Sequence, residues 1–341
     1  MKRLALIFIL AHFLLSAQQH QGTYKNHLTF NDTFFGNEEA YQVCYPKEHP
    51  TFFYSIFFAS GIAFMFFCII IYQKTKHNKA LRSSNDVISE KNRSILDSIH
   101  YAKRIQTAIL PNQNDLKGLA NSLSVLYCPR DIVSGDLYWV HKSKEDIYLA
   151  VIDCTGHGVP GAFLSLLAHN AIEQAIIEKG LKGPREILDS MNDFVKSVLD
   201  QNNEEGSKDG MEIGLCLIQK TSIKYSGANI SLKYISNGKL NEIKAAKCTV
   251  GSVQANVIEP PIEHFLELKK GDRILMHSDG IIDQFGGPKN RKITSKVLNE
   301  LIQKTIGKNS AEQLSSIKDF FMNWKGNNEQ TDDVLMLLYE I

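Results

Sequence analysis

Two uninterrupted apolar runs lie in the first quarter of the chain, and beyond them the hydrophobic positions fall into short periodic groups. The first run covers residues 4–15, follows Met1-Lys2-Arg3 and gives way to Ser16-Ala17 and Gln18-Gln19. A charged start, a short apolar centre and small residues before a polar exit predict a signal peptide over 1–17. An uncleaved anchor is the alternative, but about 12 apolar residues fall short of the roughly 20 that span a bilayer core. The second run, residues 51–72, is dense in Phe and Ile, and no formal charge occurs between Glu48 and Lys74. It predicts a transmembrane helix, with Tyr54 and Tyr72 near its ends, where amphipathic rings favour the interface.

A seven-residue repeat follows. Ile88, Ile95, Ala102 and Ile109 predict a helix over 77–110 that stops at Pro111. Ile99 lies between two of them, whereas Asn92 and Gln106 take the other intermediate places and weaken the seam. A coiled coil joining two copies and an amphipathic helix packed on its own domain both remain open. His100 in this stretch reads as a solvated helix residue.

From residue 112 to 341 the pattern is that of one block. Strands are predicted near 123–127, 136–141 and 147–152, then helices near 160–179 and 184–200. Further strands follow near 211–219, 222–226, 231–236, 240–245, 264–268 and 273–277. Helices over 293–305 and 310–324 precede a last strand at 333–340. The strands cluster instead of alternating with helices, which predicts an α+β domain with antiparallel sheets.

Charge sharpens this division. The formal net charge is +1, but residues 1–111 carry 12 Lys and Arg against 7 Asp and Glu, and residues 112–341 carry 26 against 30. A chain so balanced is not expected to bind nucleic acid. Lys74, Lys76, Lys79 and Arg82 follow the long apolar run, whereas residues 18–50 before it hold only Lys25 and Lys47, with Asp32, Glu38, Glu39 and Glu48. The positive-inside rule then predicts a single-pass cell-membrane protein with a short outside segment, 18–50, and everything after the span in the cytoplasm. Cys44 has no partner in the outside segment, and Cys68, Cys128, Cys154, Cys216 and Cys248 are expected to be reduced thiols. No CxxC pair suggests zinc.

The candidate chemistry lies in aspartates beside predicted strands. Asp136 sits in Val133-Ser134-Gly135-Asp136-Leu137-Tyr138-Trp139, and Asp153 opens Asp153-Cys154-Thr155-Gly156-His157-Gly158-Val159-Pro160-Gly161. Asp279 ends Ile274-Leu275-Met276-His277-Ser278-Asp279-Gly280, and Asp332 lies in Gln330-Thr331-Asp332-Asp333-Val334. Each alone is ordinary turn or capping chemistry. Together, carboxylates at strand ends converge in space, repel one another, and call for a cation. All-oxygen ligation favours magnesium or manganese, and a pair of such ions can activate water against a phosphoryl group. Residues 156–161 also match the GxGxxG dinucleotide pattern, but a helix follows where a second strand should, so an oxidoreductase is the poorer reading.

Five motifs then occur in order: residues 133–139, 153–162, Lys208-Asp209-Gly210-Met211-Glu212, 278–287 and 331–334. With Tyr101-Ala102-Lys103-Arg104-Ile105-Gln106 before them, residues 100–341 resemble the bacterial SpoIIE-type serine/threonine phosphatases, a branch of the metal-dependent type 2C phosphatases. The resemblance implies two antiparallel sheets sandwiched between helices. It also implies hydrolysis of phosphoserine or phosphothreonine by a metal-bridging water, with two Mn2+ or Mg2+ ions. By the same resemblance, Asp153 bridges the ions with the Cys154 backbone carbonyl as an added ligand, and Asp279 and Asp332 complete the site. Asp136 is ligand or close neighbour, and Asp209 is a candidate for a third, looser ion. Asp332 is chosen over Asp333 by the family pattern alone. His157 departs from the superfamily's position for a proposed general acid, and Ser226-Gly227-Ala228-Asn229-Ile230 lacks a family proline. Arg130, Lys142 and Lys144 are candidate phosphate contacts, although the lysines fit a solvated surface better. The expected partners are a phosphorylated regulatory protein of the anti-sigma-factor-antagonist kind, the membrane, and a second copy through the linker helix. A catalytically degenerate scaffold on the same fold is the alternative.

Overall fold

The structure, a computed structural model, describes residues 50–111, 116, 119, 122–143, 146–199, 209–252 and 260–341. The expected signal peptide and, but for Pro50, the expected outside segment lie outside these residues, as does Lys144. The chain falls into two units, Met1–Asn78 and Lys79–Ile341.

Helix α1 runs Pro50–Ile109, so the apolar run and the linker form one helix where two elements were expected. The reason is compositional: no proline or glycine occurs between Gly61 and Pro111 to break the backbone ladder. In the first unit its apolar side chains, Phe58 and Ile70 among them, face outward, and the segment is long and apolar enough to cross a membrane. In the second unit the two linker readings divide along the helix. Ile88 and Ile95 are exposed, whereas Ile109 packs against the domain core and Gln106 is buried.

The rest of the second unit is a four-layer sandwich. One sheet has the order β2 (Asp136–Ser143), β3 (Asp146–Cys154), β4 (Met211–Gln219), β5 (Ser222–Ala228), β8 (His264–Glu267). The other has the order β1 (Leu123–Cys128), β12 (Val334–Glu340), β9 (Arg273–His277), β6 (Leu232–Ser236), β7 (Lys239–Ile243). All named strand pairs in both sheets are antiparallel, as the clustering of strands predicted. That arrangement leaves no place for a dinucleotide fold built on parallel strands.

Strand periodicity explains why the central strands read as solid apolar runs. In β3, Ala150 and Ile152 face helices α2 (Gly158–Glu173) and α3 (Pro184–Val198), while Leu149 and Val151 face the second sheet. In β12, Leu335 and Leu337 point between the sheets. Val334, Met336 and Leu338 meet helices α5 (Thr294–Thr305) and α6 (Ser310–Lys325). Both faces of each strand are buried, so two alternating apolar sets merge into one run. Helix α2 passes at Gln174–Glu178 into a π-helical turn, a widening the 3.6-residue pattern does not reveal. A short helix α4 (Gly280–Asp283) and the hairpin β10 (Phe285–Gly286) with β11 (Arg291–Lys292) were not anticipated, because elements this short carry no periodicity.

Two glycines let backbone segments meet where the aspartates gather. A Cβ on Gly161 would lie 2.2 Å from the Gly156 carbonyl oxygen, and one on Gly280 would lie 1.9 Å from the Asp333 carbonyl oxygen. The Gly280 contact is with backbone, which yields only by moving strand β12 or helix α4. Gly280→Ala is therefore expected to destabilise the protein by about 1–3 kcal/mol, the usual cost of overpacking. Thermal unfolding checks this, and an unchanged melting temperature would contradict the close approach.

Candidate metal centre

Antiparallel pairing brings the expected residues together. Asp136 opens β2 directly opposite Asp153 near the end of β3, and Asp153 is in turn opposite Glu212 on β4. Asp279 follows β9 and Asp332 precedes β12, the neighbouring strand in the second sheet. The carboxylates feel one another across the two sheets. Burial, then the charges of Asp279, Glu212 and Asp332, push the Asp153 carboxyl up to about 8, against a hydrogen bond from the Asp279 backbone N–H. Burial first and the Asp153 charge second raise Asp136 well above the usual carboxylate range. Asp279 is raised by burial and then by Asp332, and Glu212 mainly by burial.

Glu212 is the acid that sequence reasoning passed over. It stands at a strand start within a quoted motif, and the strand-end logic applied to the aspartates applies equally to it. Its Oε1 accepts from Asn229 Nδ2 at 2.9 Å. Asp279 resolves the turn alternative: it is the N-cap of α4, yet its side chain makes no capping hydrogen bond. Asp209 directly precedes Gly210, which is hydrogen-bonded to Thr155, two residues after Asp153, through both backbone and side chain.

The surrounding groups hold the acids in place. Ser278 Oγ donates to Asp136 Oδ2 at 2.7 Å and accepts from the Leu335 N–H at 3.0 Å, tying β2, β9 and β12 together. Asp333 takes a different part from its neighbour Asp332. Its two oxygens accept the backbone N–H groups of Arg130 and Gly135, each at 2.7 Å, and the residue is 3% exposed. Asp332 Oδ1 accepts the Asp333 N–H at 2.8 Å, and its charge acts on both Asp153 and Asp279. His157 Nδ1 lies 2.8 Å from Asp131 Oδ2, and the Arg130 guanidinium donates to the Thr331 carbonyl at 2.9 Å. Lys142 is exposed at the far end of β2.

Gln106 reaches this assembly from helix α1. Its Nε2 donates to the Ser134 carbonyl at 2.6 Å and to Ser165 Oγ at 2.9 Å, while its Oε1 accepts the Ser134 N–H at 3.1 Å. The residue that spoiled the heptad seam is thus bonded to the loop that carries Asp136 and to helix α2.

The donor set fits a hard divalent cation. Its members are carboxylates, grading from buried Asp136 through half-buried Asp153, Glu212 and Asp332 to exposed Asp279, and their mutual repulsion is the cost that a cation removes. Among the described residues no three His, Cys, Asp or Glu side chains stand at ligand spacing around one point, so the acids form an open cluster.

The layered antiparallel architecture is the type 2C phosphatase fold. Residues 73% of this chain's length superpose on 98% of the SiaA-PP2C domain of Pseudomonas aeruginosa, with TM-score 0.67 and 28% identity. The phosphatase domain of SpoIIE from Bacillus subtilis has the same fold, with TM-score 0.51 and 18% identity over 64% of this chain and 63% of that one. The chain belongs to the stage II sporulation protein E (SpoIIE) family, whose model matches residues 143–341. Among curated proteins it is 24% identical to phosphoserine phosphatase RsbU of Bacillus subtilis over 247 residues, covering 72% of this chain and 70% of that one.

A consequence of the raised Asp153 carboxyl can be measured without metal. The folded chain keeps a proton that the unfolded chain sheds near pH 3.8, so this group lowers stability progressively as pH rises toward about 8. In the presence of chelator, Asp153→Asn is expected to raise the melting temperature, and by more at about pH 8 than at about pH 5. A gain that does not grow with pH would show that Asp153 is not held protonated.

Proposed function

We propose that this chain is a membrane-tethered, metal-dependent protein phosphatase acting on phosphoserine or phosphothreonine of a cytoplasmic regulatory protein. The enzyme class follows from the SpoIIE family and the similarity to RsbU and SiaA: a PP2C-type serine/threonine phosphatase. The observation that carries the metal reading is the gathering of Asp136, Asp153, Asp279 and Asp332, joined by Glu212, at the ends of strands from both sheets, with Asp136 buried at its base. Asp153, Asp279 and Asp332 would hold two Mn2+ or Mg2+ ions, with the Cys154 carbonyl and Asp136 beside them and Asp209 at a third position. Bound there, the ions supply positive charge to the phosphoryl group and lower the pKa of an attacking water.

The chain's own part is to hold the oxygens still. Ser278 fixes one Asp136 oxygen, and Asp333 spends both of its oxygens on backbone N–H groups, which orients Asp332 beside it. Asn229 fixes Glu212. We read the polypeptide as a signal peptide over 1–17, an outside segment over 18–50, a span over 51–72, a linker over 77–110 and a cytoplasmic catalytic domain over 112–341. The exposed apolar face of the first unit and the basic residues after it support that topology. A regulatory protein of the anti-sigma-factor-antagonist kind suits a phosphatase resembling RsbU, and exposed Ile88 and Ile95 suit pairing with a second copy.

Phosphate release from a phosphoserine peptide by the full chain, with and without Mn2+, tests the reading. Activity should require the metal and fall by about 10²-fold or more in Asp153→Asn, the scale for losing one preorganised electrostatic group. A folded protein inactive under every divalent metal would favour the scaffold. The link through Gln106 has its own test. Gln106→Leu leaves the buried Ser134 backbone groups unpaired, at a cost of about 1–3 kcal/mol. It should also raise the Mn2+ concentration needed for half-maximal activity. Lost stability with an unchanged metal requirement would confine Gln106 to a packing role.

A further inference from the structure

The molecule has a second concavity that the catalytic reading does not use. A groove of about 780 Å³ runs between strand β7 and helix α5. Among the described residues, strand β7 is the last strand of its sheet, with no neighbour beyond it. Part of its free edge is already satisfied in the way a further strand would satisfy it. The Leu240 N–H donates to Gln303 Oε1 at 3.0 Å, and Gln303 Nε2 donates to the Gly238 carbonyl at 3.0 Å. In an antiparallel ladder the outward positions alternate, so Glu242, two residues on, also turns its backbone N–H and C=O to the open side.

Three further features mark the groove as a place for a polypeptide. The side-chain oxygen of Asn299, on its helical wall, is buried with no hydrogen-bond partner. Lys233 is 3% exposed and its charge is taken by Glu242 at 2.6 Å, which leaves Lys296 and Lys304 against Glu300 and gives the remaining wall an excess of positive charge. Lys233 and Glu242 also line a smaller cavity of about 130 Å³ that contains Glu212, Asn229 and Asp279. The groove and the acidic centre therefore share a wall.

We propose that this groove docks the segment flanking the phosphorylated residue of the substrate protein, as an extended, acidic strand paired with the β7 edge at Glu242, beyond the stretch that Gln303 covers. Main-chain pairing supplies affinity that is tolerant of sequence, and Lys296 and Lys304 select acidic neighbours. The proposal rests on the phosphatase reading above, because a phosphoprotein substrate must lay its flanking chain against the surface beside the metal centre.

The test uses the full chain with Mn2+ and three probes: p-nitrophenyl phosphate, a pool of phosphoserine peptides rich in flanking Asp and Glu, and a matched pool rich in Lys and Arg. The acidic pool should be hydrolysed faster. Lys296→Glu with Lys304→Glu should remove that preference by raising KM about five- to tenfold, the size expected of two partly exposed charge contacts. Hydrolysis of p-nitrophenyl phosphate reads the centre alone and reports whether the variant is folded. Methylating alternate backbone nitrogens of an acidic peptide should raise KM in one register and not in the other. Equal hydrolysis of the two pools, a preference that survives charge reversal, or insensitivity to methylation in both registers would overturn the groove proposal while leaving the phosphatase reading intact. Failure to hydrolyse any of the three probes would overturn both.

Discussion

Like-charge repulsion among carboxylates gathered at the strand ends is the constraint on which this domain is organised. Strand register sets Asp136 opposite Asp153 and Asp153 opposite Glu212, and the second sheet adds Asp279 and Asp332. Hydrophobic packing on both faces of β3 and β12 holds these strand ends close despite their charge. The fold thus concentrates negative charge at one place, and that charge is relieved either by protons or by cations.

Hydrogen bonds and one close glycine contact do the fastening. Ser278 ties an Asp136 oxygen to β12, Asp333 draws in the loop before β2 through two backbone N–H groups, and Gly280 permits α4 to sit against β12. Gln106 extends the same fastening to helix α1 through Ser134, two residues from Asp136. The acids are therefore positioned by contacts from both sheets and from the helix that enters the domain.

Much of the architecture was legible in the residue pattern, because strands buried on both faces leave long apolar runs and the helices keep their period. The aspartates drew notice because each stands at one end of such a run, Asp136 and Asp332 before it and Asp153 and Asp279 after it. What escaped has local causes. Glu212 was overlooked since one acid at a strand start has no marking of its own. Gln106 looked like a flaw in a heptad, and only the placement of Ser134 and Ser165 gives its amide a purpose. Asp332 and Asp333 are adjacent and chemically alike. Their different parts emerge only when Arg130 and Gly135 turn their N–H groups toward one of them. Helix α4 and the β10–β11 hairpin are too short for periodicity to register.

The near-neutral formal charge of +1 conceals this local imbalance, which a divalent metal would correct. The most direct test is calorimetric titration of Mn2+ into the metal-free full chain near neutral pH, repeated in buffers of different ionisation enthalpy. If the buried acids are held protonated until a cation takes their place, Mn2+ binds with release of protons, and Asp153→Asn diminishes both binding and release. Binding without proton release, or release unaffected by Asp153→Asn, would contradict the account.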